Sequence, residues 1–456
     1  MNNEKLSSRL AFILLSASTA IGLGNVWRFP FIAGKYGGGA FLMLYITCLL
    51  FIGIPLMVVE FAIGRAAQKS PGQSFEILEP AGSKWHLCKY VSLSACAIVT
   101  FYYAVVSGWV LKYVIKNMLG ELDGLTAPAI ATSFQHCLND WPSMWIYTAI
   151  VLMLSAIICY LGLQKGIEKA TKPMMIMLML FLIAIVIKAL TLPNMLDGLT
   201  YFIMPDLDRL MEAGFLNVLS AAMSQTFYSL SLGFCMLITF GSYIGKERSL
   251  TGEAIMIAIL DTAVAVMAGL IIFPCCSAFG INPAAGPELL FITLPNVFSV
   301  ISGGQFWGTL FFTGMFIAAL TSVIGLMEGS IATCMDIFKA ERNKVTKVYF
   351  LITLFCVIPC ILGFNLWQHI QPLGPGSTIM DLEDFIVCNN LLPIGSLICL
   401  IFAVNTKYGW GWQNLIKEIN TGKGIKFPTW SKNYMCYILP LIVLFIFISG
   451  YMSFFK

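Results

Sequence analysis

The stretch TAIGLGNVWRFP, from Thr19 to Pro30, lies within the first long apolar run of the chain. The run can span a bilayer, yet Gly22 and Gly24 lie near its middle, followed by Asn25 and Arg28. An interior Gly costs a helix roughly 1 kcal/mol relative to Ala, and an ionisable group at membrane depth costs about 2.5–3.5 kcal/mol on insertion scales. We interpret the stretch as a membrane helix whose break exposes backbone amides and carbonyls to a bound solute. Close helix packing through small residues is the alternative explanation.

The composition is that of a polytopic membrane protein surrounded by lipid. Of the 456 residues, 58% are hydrophobic and 11% are charged, whereas soluble chains contain about 45–50% apolar and 25% charged residues. The 14 Cys lack metal-ligand spacing, which indicates apolar packing. The sequence contains no HExxH, GxSxG or phosphate-binding loop and no basic domain. We therefore expect neither an enzyme nor a nucleic-acid partner.

Apolar runs predict about eleven membrane spans within a single transmembrane domain, residues 1–456. We place spans one to eleven near 9–34, 39–64, 88–117, 143–161, 171–191, 215–244, 251–280, 303–338, 345–366, 381–406 and 434–454. About twenty residues suffice to cross the hydrocarbon core. Lys and Arg concentrate in alternate connecting segments, which predicts a cytoplasmic N-terminus. The absence of an N-x-S/T sequon and the short termini favour a bacterial inner membrane over a eukaryotic plasma membrane.

Span six repeats the interruption of span one. Its segment SQTFYSLSLGFCM, from Ser224 to Met236, places Ser231 and Gly233 inside an apolar run. Spans one and six correspond if residues about 9–191 and about 215–406 form two repeats, with span eleven as an additional helix. Because five spans reverse the direction of the chain, the two repeats are inverted. Paired interrupted helices of this kind indicate the central binding site of a transporter.

Six motifs together resemble the neurotransmitter:sodium symporter family. They are GLGNVWRFP (22–30), GGGAF (37–41), GIPLMVVEFAIGR (53–65), FYYAVVSGW (101–109), SLSLGF (229–234) and AALTS (318–322). The resemblance implies an all-α integral membrane protein with the leucine-transporter fold. It also implies sodium-coupled import of an amino acid by alternating access. A transport-inactive amino-acid sensor and an ion channel remain alternatives.

The breaks also predict ion sites. Carbonyl and amide oxygens without dense carboxylates suit a monovalent hard cation. The resemblance implies two sodium ions. The first would be held by Ala20, Asn25, Ser229 and Asp261, together with the substrate carboxylate, and the second by Ser18, Ile21, Ala318, Thr321 and Ser322. Hydrogen bonding of Thr321 and Ser322 to the preceding helical turn is the ordinary alternative.

The resemblance likewise implies a substrate pocket. Its predicted residues are Ala20, Gly22, Gly24, Val99, Tyr103, Val106, Tyr228, Ser229, Ser231, Phe234 and Leu326. Aromatic residues at helical spacing more often form core, so these assignments depend on the motif match. Monoamine-carrying relatives place an aspartate at the position of Gly22. A glycine there predicts an amino acid, and the apolar lining predicts a hydrophobic one, aliphatic or aromatic.

Charged residues near the span ends predict gates. The resemblance implies an outer ion pair of Arg28 and Asp384 above an aromatic lid of Tyr103 and Tyr228. It also implies an inner pair of Arg9 and Asp336. The family's N-terminal Arg and Trp are replaced by Asn3 and Leu6, which leaves Lys5 as the candidate substitute. The implied role of Glu60 is to accept hydrogen bonds from unwound backbone, with an ordinary polar contact between helices as the alternative.

The resemblance to the family also indicates whether chloride is required. Chloride-dependent relatives hold the anion with a Tyr, a Gln and two hydroxyl side chains, and the corresponding residues here are Tyr45, Gln225, Ser229 and Ala265. Ala265 has no hydroxyl, and Asp261 lies four residues before it on the same helical face. We expect Asp261 to supply the negative charge and chloride not to be required. The sequence leaves the oligomeric state open.

Overall fold

The computed structural model describes residues 5–280 and 289–454, and the regular secondary structure in these ranges is helical, without extended strands. Two isolated backbone bridges, Gly38 to Pro205 and Arg248 to Lys423, are the strand-like contacts in this part of the chain. The predicted all-α fold class is confirmed.

Nine of the described helices are long and apolar enough to cross a membrane, and the bent pair of span one makes up to ten. The nine are Gly39–Ala67, Trp85–Met118, Trp141–Tyr160, Leu163–Ala189, Leu250–Phe279, Gly304–Phe338, Arg342–Leu362, Ile379–Val404 and Thr429–Tyr451, which match spans two to five and seven to eleven. The predicted set of eleven is completed by span six, whose two halves are each too short to qualify alone.

Span one consists of helices Arg9–Ala20 and Gly24–Lys35, bent by 53°. The hydroxyl of Ser8 caps the first half by accepting a hydrogen bond from the Ala11 amide at 3.2 Å. The backbone then turns extended at Ile21, with ψ of 103°, which interrupts the hydrogen-bond ladder at the sequence that predicted a break.

Span six consists of helices Phe215–Ser229 and Met236–Ser242. Between them, Ser231, Gly233 and Cys235 have φ of 53°, 83° and 56°, which no continuous right-handed helix allows. A Cβ on Gly233 would lie 2.0 Å from the carbonyl oxygen of Leu392 in span ten. The break therefore requires glycine both for its backbone conformation and for the close approach of span ten.

Shorter helices connect the spans. They are Pro71–Leu78, Ala127–Asn139, Met195–Ile203, Leu207–Ala213, Leu294–Val300 and Trp412–Ile419. π-helical turns occur at Gly24–Arg28, Leu49–Gly53, Leu163–Glu168, Leu289–Thr293, Ile386–Leu391 and Tyr434–Ile438. The spans alone were predicted, because these connecting helices are too short to give a membrane-spanning hydropathy signal.

Spans eight and three form the centre of the molecule and pack along each other. Span eight is the most enclosed of the nine, with 83% of its most apolar window buried. Both halves of span one and the second half of span six contact this centre or span two. The two breaks are consequently enclosed by protein, where irregular backbone is tolerated in a membrane.

The second half of span six lies against span two through small residues. A Cβ on Gly64 would lie 1.8 Å from the Ile238 carbonyl oxygen, and a Cβ on Gly241 would lie 2.4 Å from that of Phe61. Neither obstacle is the flexible end of a side chain. The contact therefore depends on the two glycines.

We expect Gly64→Ala to destabilise the protein by about 1–3 kcal/mol, because the added methyl group forces two backbones apart. Gly252→Ala is the matched control, since the nearest atom to its Cβ would be 3.9 Å away. The measurement is the thermal unfolding midpoint in detergent. Equal midpoints for the two variants would show that the close contact is not required.

Candidate functional site

A small cavity lies where the two broken helices meet spans three and eight. Its volume is about 30 Å³, and a single water needs about 10–15 Å³ by the same kind of measure. It is lined by Thr19, Ala20, Gly22, Gly24, Val99, Tyr103, Tyr228, Ser231, Phe234, Ser322 and Leu326. The structure therefore brings most of the predicted substrate residues to one closed pocket. Val106 and Ser229 lie outside it, and Thr19 is a lining residue that sequence reasoning missed.

Tyr103 closes one side of the pocket against the break in span one. Its hydroxyl oxygen accepts a hydrogen bond from the Leu23 amide at 2.8 Å and also interacts with the Ser322 hydroxyl. A Cβ on Gly22 would lie 2.3 Å from this oxygen and 2.6 Å from the Ser322 hydroxyl. Any side chain at position 22 would therefore displace the groups that form the pocket.

A buried polar cluster adjoins the pocket on the other side of the break. The Asn25 amide donates to one carboxylate oxygen of Asp261 at 2.7 Å, and the Ser229 hydroxyl donates to the other at 2.6 Å. The Tyr45 hydroxyl adds a hydrogen bond to Asp261 at 3.2 Å. All four side chains are buried. Three of the four predicted ligands of the first sodium ion are thus in direct contact.

The charge of this cluster is distinctive. Within the described residues, no Lys, Arg or His forms an ion pair with Asp261, and its partners are neutral donors. A buried carboxylate normally needs a cationic partner. Amide, hydroxyl and carboxylate oxygens are the donor set that suits a hard cation. The residues present therefore fit a sodium ion.

Of the residues predicted for the second ion, Ser322 in span eight is the one whose side chain contacts span one. The Ser322 hydroxyl lies 3.4 Å from the Ile21 carbonyl oxygen, across the helix interface, and 3.1 Å from that of Ala318. The Thr321 hydroxyl bonds to Ala318 at 3.0 Å, and the Ser18 hydroxyl bonds to Leu15 at 2.9 Å. In this conformation Thr321 makes the backbone contact that the sequence left as an alternative, whereas Ser322 also reaches span one.

A second cavity of about 200 Å³ lies on the other side of Tyr103 and Tyr228 from the pocket. It is lined by Leu23, Trp27, Arg28, Phe31, Tyr102, Tyr103, Val106, Tyr228, Met380, Asp381 and Asp384. Tyr103 and Tyr228 line both cavities. They therefore separate the closed pocket from the larger one, which is the position predicted for a lid.

The predicted outer ion pair is not direct. The Cys388 thiol lies between Arg28 and Asp384, at 3.9 Å from the guanidinium and 3.1 Å from the carboxylate. The Arg28 guanidinium stacks over the ring of Tyr228 at 4.5 Å, and the Tyr102 hydroxyl bonds to Asp384 at 3.0 Å. Cys388 lies one helical turn after Asp384, so its thiol occupies the space between the charges. Sequence reasoning missed both Tyr102 and Cys388.

The predicted inner pair of Arg9 and Asp336 is not formed in this structure. Arg9 binds both carboxylate oxygens of Glu253, at 2.9 and 3.1 Å. Asp336 instead pairs with Lys69 at 3.2 Å and accepts the Ser70 hydroxyl at 2.7 Å. Glu253 lies in the first turn of span seven, where an acid also suits the helix dipole, so the sequence did not distinguish it as a partner.

The N-terminal segment is held differently from the predicted gate. The Lys5 carbonyl accepts a hydrogen bond from the Gln164 side chain at 2.8 Å, and Ser7 bonds to the Glu168 carboxylate. Leu6 donates its amide to the Tyr243 carbonyl at 3.4 Å. Among residues 5–280 and 289–454, Lys5 has no acidic partner that would make it a replacement for the missing Arg. Asn3 lies outside the described residues.

Glu60, in span two, contacts the unwound segment of span six. One carboxylate oxygen accepts the Gly233 amide at 2.8 Å, and the residue is 1% exposed. The Ser92 hydroxyl satisfies the neighbouring Phe234 carbonyl at 3.0 Å. Backbone groups freed by the break thus have side-chain partners from two other spans.

Two broken helices enclosing a pocket and an anionic oxygen cluster define the class of secondary transporters that couple solute to cation. The model of the sodium:neurotransmitter symporter family matches residues 3–145 and 128–456. Uncharacterized sodium-dependent transporters of Haemophilus influenzae and Bacillus subtilis are 36% and 32% identical, over 97% and 98% of both chains. The crystal structure of MhsT with L-phenylalanine is similar with a TM-score of 0.87 and 35% identity, covering 98% of this chain and 99% of that one.

The chain belongs to the sodium:neurotransmitter symporter family. It is a sodium-dependent symporter and not an enzyme, and it is a multi-pass membrane protein with the leucine-transporter fold. The corresponding predictions from the sequence are confirmed.

We expect the contact between Arg9 and Glu253 to control inner closure. The single charge reversals Arg9→Glu and Glu253→Arg each place two like charges together. Each should lower the initial uptake rate at least about fivefold, which corresponds to a loss of about 1 kcal/mol in the stability of the closed contact. The double exchange should recover most of the rate. The measurement is uptake normalised to protein at the membrane. Failure of the double exchange, with both singles folded, would contradict the pairing.

Proposed function

We propose that the chain imports a hydrophobic L-amino acid together with sodium ions by alternating access. The observation that carries this proposal is the hydrogen bond at 3.3 Å from the amide of the pocket residue Gly22 to the side-chain oxygen of Asn25, which also binds Asp261 in the buried cluster. A substrate carboxylate at the Tyr103 hydroxyl would complete the shell of an ion at that cluster. Ion and substrate would then share ligands.

The shape of the pocket at Gly22 supports an amino acid over a monoamine. An aspartate at this position would collide with Tyr103 and Ser322, whose oxygens lie 2.3 and 2.6 Å from the place of a Cβ. The site consequently offers no carboxylate of its own to an amine. The Tyr103 hydroxyl lines the pocket, and a phenolic hydroxyl can donate a hydrogen bond to an acceptor carried by the substrate.

The remaining walls support a hydrophobic side chain. Val99, Phe234 and Leu326 line the pocket, and each is nearly inaccessible to solvent. The hydroxyls of Thr19 and Ser231 are directed to backbone carbonyls, at 3.0 and 3.4 Å, so neither requires a polar substrate group. MhsT, which binds L-phenylalanine with the same fold, supports a large apolar substrate here.

We further propose two sodium ions, one at the Asp261 cluster and one between Ile21 and the hydroxyls of Thr321 and Ser322. The contact of Ser322 with the Ile21 carbonyl supports the second site.

The distribution of Lys and Arg supports a cytoplasmic N-terminus, and we propose a bacterial inner membrane as the location. Arg9 and Glu253 would then close the cytoplasmic side, and Arg28, Tyr228 and Asp384 the outer side.

Uptake into proteoliposomes tests the proposal directly. Radiolabelled leucine or tryptophan should accumulate with an inward sodium gradient and not with potassium, because coupled ligands raise each other's affinity by the same factor. Tryptamine should not compete, since a site built for a polar group rejects analogues without it. Binding without accumulation would indicate a transport-inactive sensor, and equal affinity in sodium and potassium would exclude the coupling.

Asp261 also supports independence from chloride. Tyr45 and Ser229, which correspond to chloride ligands of related transporters, donate hydrogen bonds to the same oxygen of Asp261 at 3.2 and 2.6 Å. Ala265 offers no hydroxyl, and the Gln225 amide donates to the Gly24 carbonyl at 3.0 Å. We propose that the fixed carboxylate balances the ions in place of an exchangeable anion.

Replacement of chloride by gluconate should therefore leave wild-type uptake unchanged. Asp261→Asn keeps the volume and two hydrogen-bonding atoms but removes the charge. It should abolish uptake in gluconate, with any residual activity dependent on chloride. The measurement is initial uptake at matched sodium concentration. Loss of wild-type uptake in gluconate would falsify the proposal.

A further inference from the structure

The segment from the end of span ten into the first residues of span eleven, residues 405–432, carries an unusual charge distribution. Its five lysines are all exposed and form no ion pair within the described residues: Lys407, Lys417, Lys423, Lys426 and Lys432. Its single carboxylate, Glu418, is buried and pairs with Arg65 at 2.7 Å and Lys246 at 3.4 Å. The outward face of the segment is therefore purely cationic.

Large apolar side chains are exposed among these lysines. Trp430 is 82% exposed and Ile425 is 57% exposed. Ile425 lies four residues before span eleven and Trp430 lies at its start, and the following turns of that span expose Tyr437 and Ile438. An indole next to the start of a membrane helix lies at the level of the lipid headgroups. The lysines nearest to it, Lys426 and Lys432, therefore lie close to the surface of the bilayer.

The backbone of this segment is fixed by hydrogen bonds. The Lys423 amide donates to the Glu247 carbonyl at 2.8 Å, and the Ser249 amide donates to the Lys423 carbonyl at 3.0 Å. The Ser249 hydroxyl also reaches the Ile425 carbonyl at 2.6 Å. Because the backbone is already fixed, a ligand that binds the lysines has to order only their side chains and not the chain that carries them.

We propose that this face, which we call the juxtamembrane basic surface (the five lysines with Ile425 and Trp430), binds anionic phospholipid headgroups of the adjacent leaflet. Clusters of lysines beside a membrane helix are attracted to anionic lipid. The exposed indole and the isoleucine side chain insert beside the headgroups and fix the surface against the bilayer. The proposal depends on the membrane location of the chain and not on its substrate.

The surface is joined to the transport machinery. Arg65 in span two donates to the Arg248 carbonyl at 2.7 Å and binds Glu418. Residues 247–249, which the segment holds, lead directly into span seven and its Asp261. Lipid bound at the surface therefore stabilises the connection between spans two, seven and ten. Thermal stability is the corresponding readout, independent of uptake.

The test titrates phosphatidylglycerol or phosphatidylcholine into the full-length protein in neutral detergent and follows the unfolding midpoint. Phosphatidylglycerol should raise the midpoint, and added salt should weaken the effect. A triple variant combines Lys417→Gln, Lys423→Gln and Lys432→Gln. Its apparent affinity for phosphatidylglycerol should fall about fivefold for each lysine removed. These three ammonium groups make no hydrogen bond within the described residues, so the lipid-free midpoint should stay unchanged.

The matched control is the triple variant Lys339→Gln, Lys344→Gln, Lys347→Gln, which removes equal charge from exposed positions where span eight ends and span nine begins. It should retain the wild-type affinity. If the first variant fails to fold, Lys432→Gln alone should show one fivefold step. Equal stabilisation by both lipids, equal losses in the two triple variants, or full stabilisation by glycerol phosphate without lipid would each overturn the proposal.

Discussion

The structure depends on one constraint, which is that backbone groups freed by a broken helix inside a membrane must find partners from protein. The break in span six leaves the Gly233 amide and Phe234 carbonyl without helical partners, and Glu60 and Ser92 supply them. The break in span one exposes the Leu23 amide, which the Tyr103 hydroxyl satisfies. Each unsatisfied group would cost several kcal/mol in hydrocarbon. Spans two and three are therefore as necessary to the site as the broken helices.

This constraint also explains the placement of small residues. Side-chain donors can reach unwound backbone only when the helices lie close together, and glycine permits that approach. Gly64 admits the second half of span six against span two, and Gly233 admits span ten. The same closeness leaves little empty volume at the breaks. The pocket between them is therefore small, about 30 Å³.

The two helix breaks could be predicted from the sequence, because an ordinary membrane helix is not expected to contain glycine and polar residues in its middle. Glycine and polar residues inside apolar runs at spans one and six have a cost, so they indicate a function. The partners of the charged residues at the helix ends could not be predicted in this way. Arg9 has two acidic candidates near one end of the bundle, Glu253 and Asp336, and a few ångströms of helix placement decide between them. The position of Cys388 between Arg28 and Asp384 could not be predicted either, because a cysteine in a membrane helix is normally interpreted as a packing residue.

The Asp261 cluster connects the fold to ion coupling. Its carboxylate is buried, and its partners within the described residues are three neutral donors, Asn25, Ser229 and Tyr45. Neutral hydrogen bonds offset only part of the cost of burying a charge. The cluster is therefore more stable with a cation than without one, or with the carboxylate protonated. Because Asn25 is also part of the broken segment, cation binding stabilises the backbone geometry that forms the pocket. An ion at this position would thus raise substrate affinity through the shared break as well as through direct contact.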